Sequence, residues 1–156
     1  GCHGNSHPTP PKKQRRFYSG KKKRHTIKSQ LVVDKKSKRI LCVACCPGRR
    51  HDFRLFKESD TAVSPATLVL ADSAYQGLQK THSKTHLPRR KSKKNPLTKD
   101  DKKTNQALAS SRTLVENVIA ALKRFKILAE RYRNRRRRFA LRFTFIAAIY
   151  NAQLAS

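Results

Sequence analysis

The chain has little negative charge: nine Asp and Glu stand against 38 Lys and Arg in 156 residues, a formal net charge of +29. So unbalanced a chain repels itself unless a polyanion screens it. Nucleic acid is therefore the first partner to consider, with release of phosphate counterions driving the association. Charge names a class of partner and no reaction, because an RNA-binding structural factor has the same composition. Long apolar runs are also lacking, which excludes a spanning helix, and no strongly amphipathic terminal segment offers a surface anchor. The opening "GCHGNSHPTPPKKQ" has no apolar centre and does not read as a secretory signal. Methionine is absent altogether, the initiator included, and from this we expect a fragment or a product trimmed from something longer. The four cysteines are Cys2, Cys42, Cys45 and Cys46. Three lie in one apolar run, the pattern of reduced core thiols in a cytosolic protein rather than of a disulfide framework.

Residues 1–24 are polar, proline-containing and basic, with Lys21, Lys22 and Lys23 at their end, and read as an arm leading into a strand. Residues 25–156 read as one domain. "HTIKSQLVV" and "ILCVACC", separated by the polar "DKKSKR", predict a β-hairpin. "HDFRLFKES" predicts a short helix with Phe53 and Phe56 on one face. "TLVLAD" is a continuous apolar run of strand length, expected as a central strand covered on both faces. Residues 79–99 are basic and nearly devoid of apolar side chains, and are expected as an exposed loop. "TKDDKK" predicts the capped start of a helix running to about Ala109. "SSRTLVENVIAALKRF" predicts a second, with Leu114, Val115, Val118, Ile119, Leu122 and Phe125 as its apolar stripe. A last helix is expected over 137–154. The order hairpin, strand, helices implies a mixed α/β domain whose small sheet is flanked by helices.

Two of the scarce acids stand out. Asp72 ends the apolar strand run, where ligands bind in open α/β folds; the same position suits an Asp that only caps the turn "DSAYQG". Glu116 lies within a helical apolar stripe and is the sole acid between Asp101 and Glu130. Its plain alternative is an ion pair with Arg112 or Lys123 on adjacent turns. Brought together, two such carboxylates can hold a hard divalent ion such as Mg²⁺, with water and substrate phosphate completing the shell. A two-metal site of the kind that cleaves phosphodiesters normally needs a third.

Four segments in fixed order, "RFYSGKKKRHTIKSQLVVD", "GRRHDFRLF", "LADSAYQG" and "RTLVENVIAALKRFKIL", resemble the DDE transposases of bacterial insertion sequences, close to the branch that includes harbinger-type nucleases. The similarity runs from about His7 to the C-terminus. Arg112, Glu116 and Lys123 match the group's Arg, three residues, Glu, six residues, Lys signature, while Ala109 stands where relatives often carry Tyr. The resemblance implies a ribonuclease-H-like fold, a Mg²⁺ or Mn²⁺ site, and cutting and joining of transposon ends and target DNA, with homo-oligomers assembling on the DNA. Asp72 then corresponds to the second catalytic aspartate and Glu116 to the glutamate, both as metal ligands, with Arg112 and Lys123 on DNA phosphate. His51 and Asp52 form a recurring motif of structural character. Relatives place a first catalytic Asp in an opening strand. Here no acid precedes Asp34, and His3 stands near the expected position, a poor substitute for an anionic oxygen ligand. From this departure we expect the chain to be impaired alone in strand cleavage.

Two further patterns carry candidate chemistry. Cys42, Cys45, His82 and His86 have zinc-like spacings within each pair, but the pairs are too far apart for a finger module and "CVACC" has the character of a strand. The run "RYRNRRRRF", with Arg135, Arg136, Arg137 and Arg138, suits a solvated linker and a DNA-backbone contact alike. Against the nuclease stands a non-catalytic alternative, either a basic RNA- or DNA-binding protein or a regulatory transposase fragment.

Overall fold

The computed structural model describes residues 15–20, 22–59, 61–92, 95–130 and 138–155. Within the expected arm a 3-10 turn (Arg15–Phe17) leads into an antiparallel pair, β1 (Tyr18–Ser19) and β2 (Arg24–His25). The Tyr18 and His25 rings meet edge to face at 5.8 Å across this pair. It is tied onward by the Thr26 N–H, which donates to the Phe17 carbonyl at 2.8 Å.

The predicted hairpin is present as β3 (Ile27–Val33) and β4 (Ile40–Pro47), antiparallel with Ile27 opposite Pro47 and Leu31 opposite Val43. Its turn is shaped by Asp34, whose Oδ2 accepts from the Ser37 N–H and hydroxyl. These bonds hold the Asp34 carboxyl below its ordinary value, and Lys38 closes the turn at φ 61°, a region few side chains enter. Alternation then sorts the faces. Leu31, Val33, Val43 and Cys45 pack on one side with the buried Ile40. On the other lie Gln30 and Cys46, facing the short helix α1 (Asp52–Glu58).

The run expected as a central strand is a smaller element. β5 spans only Val69–Leu70 and pairs in parallel with β6 (Thr85–His86), in a sheet separate from the hairpin. Leu68 is 55% exposed, so the apolar run is not covered on both faces. Between the two strands come a 3-10 turn (Ser73–Tyr75) and α2 (Leu78–Thr81), the crossover a parallel pair requires. Gly77 opens α2 at φ 97°, and a Cβ there would stand 3.1 Å from the Phe53 ring of α1. The expected loop over 79–99 thus contains most of α2 and β6, placed by a crossover that residue composition does not reveal.

The two helices expected around residue 110 are one: α3 runs Lys99–Lys123. Its start is as predicted, with Thr98 and Asp101 forming a reciprocal capping box. Ser110 and Ser111 do not end it, because Leu108, Val118 and Leu122 bury one continuous stripe across them. After α4 (Lys126–Ala129) the final helix α5 covers Phe139–Gln153. Val118 and Leu122 of α3, Phe143, Ile146 and Ala147 of α5, and Ile40 of β4 form the core. The architecture is mixed α/β, as expected: small sheets with helices packed against them.

One side chain joins the last helix to the hairpin. Asn151 of α5 accepts the Ile40 N–H at 2.8 Å and donates to the Ile40 carbonyl at 2.8 Å, filling both backbone groups as a neighbouring strand would. We expect Asn151→Ala to strand both groups in a half-buried position and destabilise the fold by about 1–3 kcal/mol, measured by urea unfolding. Asn151→Asp, which keeps an acceptor but loses the donor, should be of intermediate stability.

Candidate active site

β5 delivers Asp72 to its carboxyl end, where the chain turns. Asp72 caps the 3-10 turn by accepting the Ser73 N–H, so the plain turn-cap reading holds. It does not exhaust the carboxylate. Arg112 of α3 reaches it with both arms of its guanidinium, Nη1 to Oδ1 and Nη2 to Oδ2, each at 3.4 Å. Both side chains are 45% exposed, so the pair is worth at most about 1 kcal/mol of stability. Its value is positional: it sets the middle of α3 against the end of β5.

Glu116 follows Arg112 by one turn. Asp101, Asn105, Arg112, Glu116 and Lys123 all fall within about 60° of arc on α3, taking 3.6 residues per turn. Arg112 is engaged by Asp72, and neither it nor Lys123 pairs with Glu116 among the described residues. The alternative reading of Glu116 as half of a surface ion pair is therefore not what the fold displays. Glu116 and Lys123 are exposed, and the helix carries them on the same side as Arg112, one and three turns further along. Asp72 and Glu116 are carboxylates from separate elements, and their oxygens are of the kind a hard cation takes. Among the described residues no three His, Cys, Asp or Glu side chains converge as a metal-binding group.

Residues absent from the sequence expectation hold this site in place. Tyr75 ends the turn that Asp72 begins. Its ring packs edge-on to Phe56 with centroids 6.4 Å apart, and its hydroxyl donates to buried Gln30 of β3 at 3.5 Å. Gln30 in turn donates to Ser59 at 3.3 Å. Burial pushes the Tyr75 phenol up to about 12, with the nearby charges of Asp52, Asp72 and Cys46 adding to it. The "HDF" motif has a structural use: Asp52 pairs with Lys28 at 3.2 Å and Phe53 seats Gly77, while His51 is exposed at the α1 N-cap without a side-chain bond there. Tyr75 lies within a segment already singled out, but Gln30 reads in sequence only as a polar residue in a strand.

The remaining candidates are dispersed or lie elsewhere. Lys22, Lys23 and Arg138 are exposed; Lys21, Arg135, Arg136 and Arg137 lie outside the described residues, as does His3. The zinc-like pairs are engaged separately, Cys42 with Thr61 at 3.5 Å and the His82 ring with the Ser64 carbonyl at 3.1 Å. Burial raises the Cys45 thiol to about 11, the state of a core residue rather than a reactive thiolate. No helix among the described residues is long and apolar enough to cross a membrane.

An acid at a strand end thus faces a helix that carries Arg, Glu and Lys on one side. Residues 5–151 match the DDE superfamily endonuclease model, and the chain belongs to that family. It is 47% identical over 146 residues to a protein of Microchaete diplosiphon named "Probable transposase for insertion sequence element IS702", an alignment covering 94% of this chain and 53% of that relative. The chain thus spans about half the length of the curated relative it matches. No solved structure matches it.

Tyr75 should titrate at about pH 12 in an ultraviolet titration of tyrosinate absorbance. Tyr75→Phe should remove that phase alone. The fold favours the neutral phenol, so this contribution to stability is complete below the ordinary value of 10.0 and is lost as pH rises through about 12.

Proposed function

We propose that this chain is the catalytic domain of a transposase: a ribonuclease-H-like DDE domain, principally residues 25–156, that acts on DNA with Mg²⁺ or Mn²⁺. The observation that carries this reading is the Arg112–Asp72 pair, which sets the face of α3 bearing Glu116 and Lys123 against the strand end. Asp72 and Glu116 would hold the metal. When bound, the ion would supply Lewis-acid activation of phosphodiester oxygens. Arg112 and Lys123 would orient a DNA phosphate beside the carboxylates. The basic segments at Lys21–Lys23 and Arg135–Arg138 would hold flanking backbone without reading sequence. Transposon ends and target DNA are the substrates on this reading, a homo-oligomer forms on them, and the protein works at the nucleoid.

Two acids without a third make the 156-residue chain a poor nuclease by itself. His3 stands near the position that the family resemblance assigns to the first aspartate, which permits a gain-of-function test. On a duplex carrying the inverted repeats, in Mg²⁺, the chain should nick weakly. His3→Asp should raise nicking on the order of a hundredfold, the scale of one restored ligand, and Asp72→Asn or Glu116→Gln in that background should abolish the gain. Strong nicking by the unaltered chain that Asp72→Asn removes would contradict the impairment. Nicking in the His3→Asp chain that survives Asp72→Asn would contradict the site. DNA binding with no nicking in any variant would favour the non-catalytic binder.

A further inference from the structure

The segment after β6 is fastened to α3 with unusual thoroughness for so basic a stretch. The Arg89 N–H donates to Asn105 Oδ1 at 2.9 Å, and Asn105 Nδ2 donates to the Arg89 carbonyl at 3.0 Å. The Arg89 side chain extends the tie, with Nη1 3.0 and 3.1 Å from the two carboxylate oxygens of Asp101. Asp101 is itself locked in the capping box of α3; bonds from Thr98, then Arg89, hold its carboxyl below the ordinary value. Arg89 is thus fixed through backbone and side chain together, which sets where the next residue points.

That residue is Arg90, and it points at the site. Its Nη2 donates to the Ser73 carbonyl at 2.7 Å and lies 3.3 Å from the Ser73 hydroxyl. Ser73 follows Asp72, whose carboxylate holds Arg112. A closed circuit results: α3 to Arg89, Arg90 to Ser73, Asp72 to Arg112, and back to α3. Two guanidiniums therefore bracket adjacent residues at the end of β5. They differ in one respect. Arg112 has an acid for a partner, whereas Arg90 is held by a neutral carbonyl and a hydroxyl, with no acid against it among the described residues. Arg90 is also exposed. The three groups Arg90, Arg112 and Asp72 sum to one uncompensated positive charge, the complement of a single phosphodiester.

We propose that Arg90 is a phosphate-binding residue of this site. One arm of its fork stays on the Ser73 carbonyl, and the remaining N–H groups, together with Arg112, take a DNA phosphodiester beside Asp72. The inference rests on reading the site as one that handles DNA. A lysine cannot serve, since one ammonium does not span a backbone carbonyl and a phosphate in a fixed plane.

Affinity for a short duplex of arbitrary sequence, measured by fluorescence anisotropy in EDTA over a salt series, tests this. Arg90→Lys leaves net charge unchanged and should bind about tenfold more weakly, the scale of one lost charge-assisted hydrogen bond. Arg90→Ala should be at least as weak. Combined with Arg112→Ala, its loss should fall short of the product of the single losses, because both residues hold one phosphate. Lys38→Ala, a change of equal charge on the hairpin turn, should stay within about twofold of the unaltered chain. Unaltered affinity in Arg90→Lys would reduce Arg90 to bulk charge and overturn the proposal, as would multiplicative losses. Melting temperatures should match the unaltered chain; a fall in both Arg90 variants would mark a structural tie and count against it. Without metal or cleavage, the assay separates the two readings. Loss of Asp72-dependent nicking with this coupling intact fails the nuclease alone, whereas intact nicking with a neutral Arg90→Lys fails only this inference.

Discussion

The constraint that governs this molecule is the scarcity of acids. With nine carboxylates among 38 cationic side chains, several of the placed acids act on more than one group at once. Asp34 shapes the hairpin turn, Asp52 holds Lys28, Glu58 takes both Arg50 and Arg54, and Asp101 caps α3 while binding Arg89. Most of these pairs are exposed and individually weak. Their collective effect is to decide which basic segments lie against the body and which are left for a polyanion. Asp72 belongs to the same economy, capping a turn with one oxygen and meeting Arg112 with both. Glu116, like Asp100 and Glu130, is exposed with no cation on it among the described residues, although cations outnumber acids fourfold.

The long helix turns this constraint into a site. One side of α3 buries Leu108, Val118 and Leu122, the last two in the core shared with the hairpin and α5. An adjoining stripe presents Asp101 and Asn105 to the segment at Arg89, then Arg112 to Asp72, then Glu116 and Lys123 to solvent. A single rigid rod therefore fixes the spacing between the fastened segment, the strand end and the second carboxylate. Its rigidity comes from packing on the opposite side and from the capping box, not from the polar stripe itself. The Tyr75–Gln30–Ser59 chain acts from the other direction, bracing the turn after Asp72 against the hairpin and α1.

The sequence was legible wherever one period dominated. Alternation and the polar break revealed the hairpin, the spacing of Phe53 and Phe56 revealed α1, and the aromatic and aliphatic content revealed α5. The start of α3 was readable from Thr98 and the acids after it, because capping is local chemistry. Its length was misjudged because two serines look like a boundary when the stripe on either side is read separately. The strand at Val69–Leu70 was overestimated for a related reason: an apolar run shows that a segment is suited to burial and does not show how many neighbours it has. Asp72 and Glu116 were selected by being acids in apolar settings. Arg90 could not be selected, since nothing local distinguishes it from Arg89 or Lys91; only the Asn105 amide and the Ser73 carbonyl, both remote in sequence, give it a direction.

The central claim is that Asp72 and Glu116 act on one divalent ion despite lying 44 positions apart in the chain. Titration of the ¹⁵N-labelled chain with Mn²⁺ addresses this directly, through paramagnetic broadening of backbone amides. Amides of residues 72–75 and of residues 115–117 should broaden together at low Mn²⁺, and Asp72→Asn or Glu116→Gln should remove the effect at both segments. Broadening confined to one segment, or unchanged by either substitution, would contradict that claim.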